Sequence, residues 1–259
     1  MRRSMVPLGL MLVLIVALGA YTAARQSAFL SKENLNALLL EAMPLILVSL
    51  GQAVALLVGG FDVSVAALMT MVVVTASFTL TPTTSGVALV PGAFALVGVG
   101  VATGLFNAFL IRGLRLPSIV ATLGTLSILQ GASLWLRGYP TGAINTDVTS
   151  ALTSAWGFVP IAFVGVVLLA VLGDLGLYRS RTGLGLRAVG LDETSSRRLG
   201  MSTGRTIVLA FVVCSVMASI ACGPNELQST YTFALRKRAD GSSSSGVSSR
   251  QRWSMRSTS

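Results

Sequence analysis

The sequence predicts an all-α fold, a polytopic transmembrane helix bundle with about seven spans. Three observations carry that expectation. The chain of 259 residues is 53% hydrophobic and only 11% charged, whereas soluble domains carry about 25% charged residues. Its apolar residues gather into runs of about 20, the length that crosses a bilayer core. Its basic residues sit in the connections between those runs, and mostly in alternate connections. A water-soluble core cannot bury this much apolar sequence without leaving aggregation-prone patches, so the solvent is lipid.

Met5–Ala24, the first span, comes after Arg2 and Arg3 and ends in small residues near Thr22–Ala24. That pattern fits a retained helix and also a cleaved signal peptide. The orientation of the later spans is the same in both cases. Leu35–Val58 and Val63–Leu80 are separated by Gly59-Gly60, which break the apolar run just before Asp62. Asp62 reads either as a cap for the next helix or as an acid lining a polar pathway, because intramembrane acids are costly. Val87–Ile111 holds Gly100, Gly104 and Ala108 at four-residue spacing, a face for close helix contact, with Asn107 beside it. Ser118–Leu136 comes after Pro117, a residue suited to a helix start. Within it Thr122, Thr125 and Gln130 fall roughly on one face. Glue between helices and a pore wall both fit that face. Trp156–Leu172 and Thr206–Cys222 complete the set.

The connection Arg179–Arg205 is unlike the others. Asp192 is placed to cap a short helix, with Glu193 in its first turn and Arg197 and Arg198 in its last. Gly200 stands where a left-handed residue closes the helix. Glu193 and Arg197 form an i,i+4 pair with the acid first, the favourable order. An ordinary solvated loop helix and a docking element for a cytoplasmic partner both fit.

Orientation comes from the basic residues. With the N-terminus inside, ten fall inside: Arg2, Arg3, Arg112, Arg115, Arg179, Arg181, Arg187, Arg197, Arg198 and Arg205. Three fall outside, namely Arg25, Lys32 and Arg137. That bias puts the Arg179–Arg205 connection in the cytoplasm and the segment around Asn145 outside.

Several function classes are set aside. The net charge of +10 suggests nucleic acid, but the arginines lie between apolar runs and form no basic stripe interleaved with aromatics. The two cysteines, Cys214 and Cys222, share one run and make no disulfide framework. With no histidine and no clustered acids, neither a metal nor another cofactor is expected. No nucleophile–base pair is visible, so the chain does not read as an enzyme. A P-loop needs Gly-Lys-Ser/Thr, and neither Lys32 nor Lys237 is preceded by a glycine. ATP hydrolysis would require a separate subunit.

Four motifs together resemble the ABC importer permeases of the ribose, xylose and galactose type. GGFDVSV at Gly59–Val65 is similar to that family's GG-(I/F)-D-(L/V)-S-V signature. GLFNAFLI at Gly104–Ile111 is similar to its G-x-x-N-G-x-L-I. LPSIVATLGTLSILQG at Leu116–Gly131 is similar to its P-x-F-I-x-T-L-G stretch, which ends in Arg-Gly. RTGLGLRAVGLDETSSRRLGM at Arg181–Met201 is similar to its cytoplasmic segment. There are departures: Ala108 replaces a usual glycine, Gln130 a usual arginine, Ser195-Ser196 an Ala-Ala pair, and Asp192 a common asparagine.

The resemblance implies a fold of roughly ten spans, here a permease domain over 1–223 with its coupling loop at 175–205. It implies a second permease subunit (homo- or heterodimer), a cytoplasmic ABC ATPase and an extracytoplasmic solute-binding protein, in the cytoplasmic membrane. It implies import of a ribose-like pentose or hexose. A permease for nucleosides or a signalling sugar, or a non-transporting remnant, would share the motifs. Asp62, Asn107, Thr122, Thr125 and Gln130 become substrate-pathway positions. Arg187, Gly190, Asp192, Glu193, Arg197 and Gly200 become ATPase-coupling positions. The motifs stop near Gly223. Beyond it, 224–259 is Ser/Arg-rich and reads as a disordered tail or as an out-of-frame stretch.

Overall fold

A computed structural model describes residues 5–81, 83–84, 86–137, 150, 154–156 and 159–222. The segment around Asn145 and the 224–259 tail lie outside the described residues. The helices are α1 (Met5–Arg25), α2 (Lys32–Leu57), α3 (Val65–Thr79), α4 (Leu89–Arg112), α5 (Ser118–Leu136), α6 (Ile161–Arg179), α7 (Arg181–Leu191), α8 (Glu193–Arg198) and α9 (Thr203–Ala221). Two-residue strands, Ala155–Trp156 and Val159–Pro160, pair antiparallel just before α6.

Among the described residues, five helices, α2, α4, α5, α6 and α9, are long and apolar enough to cross a membrane. Gly9–Arg25 and Val65–Thr79 are apolar but shorter. The outward faces stay apolar: Phe94, Trp135 and Leu168 are all exposed, as lipid-facing side chains must be. Element existence matches the hydropathy pattern, and the boundaries shift. Trp156 lies in a strand, not in a span, and the sixth helix runs on to Arg179. The basic connection holds a second helix, α7, that the residue pattern does not announce. Its glycines hide it from propensity. Packing and the Ser180 cap, whose hydroxyl accepts from Gly183 N at 3.0 Å, hold it.

α9 is the hub, packed between α4, α2 and α3. The small face of α4 lies on it: a Cβ at Gly104 would come within 2.6 Å of Val212 Cα, and one at Gly100 would collide with Ser219. Gly51 of α2 approaches from the other side, where a Cβ would lie 2.9 Å from the Cys214 carbonyl oxygen. α9 answers with small residues, Cys214, Ser215, Ala218 and Ser219, all buried. This is packing by close backbone approach, the means available in lipid, where burial of apolar surface brings little gain. Leu68, Val72 and Ala55 fill the centre around Cys214 and Ala218.

Candidate functional site

α2 ends in a Schellman motif. Gly59, at φ 77, is the left-handed residue; its N–H donates to the Leu56 carbonyl at 2.9 Å, and the Gly60 N–H to the Ala55 carbonyl at 3.0 Å. Gly60 is then pressed on Phe211, whose ring would lie 2.7 Å from a Cβ there. The chain runs unhelical to Ser64 before α3 begins at Val65. α3 has 15 residues, about 22 Å at 1.5 Å per residue, short of a bilayer core of about 30 Å.

Non-helical backbone at membrane depth survives only if protein groups satisfy it. Here α5 does so. Phe61 N donates to the Ser118 hydroxyl at 3.3 Å and Val63 N to the Thr122 hydroxyl at 3.2 Å. Thr122 also donates to its own helix, at Ser118 O, 2.9 Å away. The Asp62 carboxylate accepts from Ser64 N at 2.9 Å and from the Ser64 hydroxyl at 2.6 Å. Asn107 of α4 donates to Ser64 Oγ at 2.9 Å, with both Asp62 oxygens 3.4 Å from its amide. Asp62, Ser64, Asn107 and Thr122 are all buried. Asn107 Oδ1, Ser215 Oγ and Gln52 Nε2 are buried with no hydrogen-bond partner among the described residues.

Beside this cluster lies a cleft of about 800 Å³ between α2 and α3, which Asp62 alone of the four reaches. Glu41, Leu45, Val48 and Gln52 line one wall, at i, i+4, i+7 and i+11 along α2. Among the described residues its lining holds no lysine or arginine; its polar groups are two carboxylates and the Gln52 amide, which offers a donor as well as an acceptor. Sequence reasoning missed Glu41, Gln52 and Ser64. An acid inside an apolar run was the available signal for Glu41.

The expected pathway residues separate. Asp62 touches the cleft and also braces the turn before α3. Asn107 lies behind it. Thr122 and Thr125 are consumed by backbone, Thr125 donating to Ala121 O at 3.1 Å. Gln130 is exposed and does not share their buried face. The one-face grouping fails because eight residues is more than two turns at 3.6 residues each, leaving Gln130 rotated well away from Thr122.

At the end of the bundle where α2, α4 and α6 finish, the basic connection folds as α7 and α8. Asp192 caps α8 as expected, accepting from Thr194 N at 2.8 Å and Ser195 N at 3.1 Å. Its carboxyl is held below the ordinary aspartate range, first by the Ser195 hydroxyl and then by the Ser195 N–H. Gly200 closes α8 at φ 81, with Gly200 N donating to Arg197 O and Met201 N to Ser196 O, both at 3.1 Å. The Glu193–Arg197 pair is replaced: Glu193 pairs with Arg112 at the end of α4. Arg187 turns back over the Tyr178 ring, 4.9 Å from its centre. Gly190 sits on the Leu57 carbonyl so closely that any side chain would collide with it. Arg197, Arg198, Leu191 and Leu199 face outward, with the two leucines 88% and 81% exposed.

The fold is that of a polytopic helical membrane protein. The chain belongs to the family described as branched-chain amino acid transport system / permease component, which matches residues 34–231. It is 32% identical to the autoinducer 2 import system permease protein LsrC of Enterobacter sp. (strain 638), over 80% of this chain and 60% of that protein. The LsrC of Salmonella paratyphi B is 30% identical over 81% of this chain and 60% of its own length. That of Yersinia pseudotuberculosis is 28% identical over 82% and 60%. The chain thus spans about 60% of the length of the curated relatives it matches. No solved structure matches significantly. The chain is a multi-pass membrane protein of a transport family.

Proposed function

We propose that this chain is the membrane-spanning part of an ATP-driven importer for a sugar-type solute, with α7–α8 docking on a separate ATPase subunit. The observation that carries the reading is the build of α8. It is capped at both ends, exposes Arg197 and Arg198 with Leu191 and Leu199 exposed at its two flanks, and is tied to α4 through Glu193, while the adjoining α7 is packed on α2 through Gly190. A short rigid helix with an amphipathic outer face suits insertion in a partner's groove. The cleft suits an uncharged polyol, which needs acceptors and apolar surface and no cation. The relatives' names favour a signalling sugar, autoinducer 2, over a ribose-like pentose or hexose.

In this reading the end bearing α8 is cytoplasmic, the N-terminus is on the same side, and a second permease subunit and a solute-binding protein complete the assembly. A single cysteine at 199 in a cysteine-free chain tests it. Co-expressed with an ABC ATPase subunit from the same cell, the chain should crosslink to that subunit through position 199. A cysteine at 195 should resist an impermeant thiol reagent in intact cells. Labelling from outside would overturn the orientation and the docking together. Protection without a crosslink would overturn the docking alone.

A further inference from the structure

A second groove lies outside the proposed translocation site. It is the valley where α9 passes the end of α4, about 400 Å³, lined by Val208, Leu209 and Val212. It starts where Gly104 lies against Val212 and ends at Arg112, Gly204 and Arg205. Its length is apolar and its head carries two guanidinium groups. Arg112 spends Nη1 on Glu193, and its Nη2 makes only a 3.5 Å contact with Thr203 Oγ1. Gly204 leaves room for that guanidinium, which passes 3.4 Å from where a Cβ would stand. Arg205 is exposed and has no carboxylate partner among the described residues. One acid faces two arginines, so the groove head is net positive.

We propose that this groove binds an anionic phospholipid of the adjacent leaflet. The acyl chain lies along Val208, Leu209 and Val212, and the phosphate sits between Arg205 and Arg112. An apolar trough at lipid depth ends in cations at headgroup level, the complement of an anionic lipid and of nothing freely soluble. Guanidinium groups hold phosphate oxygens through paired N–H bonds. Net negative charge on the lipid adds attraction of about fivefold in affinity for each arginine near the surface. This inference does not depend on the solute or on the ATPase.

The test is native mass spectrometry of the intact chain released from detergent, titrated with phosphatidylglycerol or with phosphatidylcholine of the same acyl composition. Phosphatidylglycerol should bind one site at least about fivefold more tightly. Arg205→Gln should erase the preference and Arg205→Lys should keep most of it. Leu209→Trp, which fills the trough, should weaken both lipids, with thermal unfolding used to confirm that each variant is folded. Equal affinity for the two lipids, or an unchanged preference in Arg205→Gln, overturns the proposal. So does displacement by inorganic phosphate, which would mark a free-anion site, or a dimer that excludes lipid, which would mark a subunit interface.

Discussion

Two turns in this protein are closed by the same device in opposite surroundings. Gly59 and Gly200 both take the left-handed conformation, at φ 77 and φ 81, and both close Schellman motifs. An aspartate in each region accepts from the backbone N–H two residues on, Asp62 from Ser64 just past the Gly59 turn and Asp192 from Thr194 at the opposite end of the helix that Gly200 closes. The first turn is buried under Phe211, α4 and α5; the second stands at the surface, where Asp192 is exposed. The same glycine closure thus stands beside a cleft in one place and ends an outward-facing helix in the other. Backbone chemistry makes the turn, and surroundings give it a task.

The contrast breaks most readily at Gly60. Gly60→Val should destabilise the bundle by about 1–3 kcal/mol, because the new carbons meet the buried Phe211 ring. Thermal unfolding in detergent reads it; an unshifted transition would mean that the turn is not pressed on α9. Asp62→Ala comes next. It strands the Ser64 N–H and weakens the hold on the Asn107 amide, at about 1–3 kcal/mol for an unsatisfied buried group. The same unfolding assay should place it close to Gly60→Val.

Gly200→Ala should cost only the left-handed strain, about 1–2 kcal/mol, since nothing lies within 4 Å of its would-be Cβ. It should loosen α8, seen as faster amide exchange at Met201, and leave the bundle unfolding temperature alone. Smaller again is the Arg112–Glu193 pair, whose side chains are 29% and 46% exposed. A double-mutant cycle on unfolding should return about 0.2–1 kcal/mol, well under the Asp62 effect.

The smallest effect is on pH. The Asp192 carboxyl is depressed in the folded state by the Ser195 hydroxyl. Its contribution is therefore complete above the unfolded value, near about pH 3.9, and is lost as pH falls through the lower folded value. Carbon chemical shifts over Thr194–Arg198 should hold steady to mild acidity and move toward coil below about pH 4. Asp192→Asn should abolish that step. A step that persists in the variant would assign it to another carboxylate.

The α8 helix was legible because each of its signals is local. Asp192, the basic last turn and Gly200 act within one or two turns of chain, and the structure keeps all three. The glycine face of α4 was legible for a similar reason, since four-residue spacing makes a face whatever it meets. Its partner, α9, was not. The Glu193–Arg197 pair shows the limit: two residues a turn apart are able to pair, yet Arg112, 81 residues away in sequence, takes the acid. Gly190 carries a close packing contact with Leu57 that its position in the sequence does not reveal. Thr122 looked like pathway or glue and serves the backbone of a turn that no periodicity reveals.

The sequence by itself determined the solvent, the class and the order of the helices. Hydropathy over about 20 residues fixes a span without reference to any other. Turn and cap residues then fix where helices stop. Only the tertiary structure decided which polar side chains meet. Asp62 and Ser64 come from a broken segment and Asn107 from α4, Glu41 faces a cleft only because α3 stands off α2 there, and Gln130 turns away through accumulated helix rotation. Such juxtapositions depend on how helices cross, and crossing is set by side-chain shape at contacts distant in sequence. In lipid, where backbone groups must find partners inside the protein, those distant contacts decide which broken segment is tolerated and therefore where a site can exist.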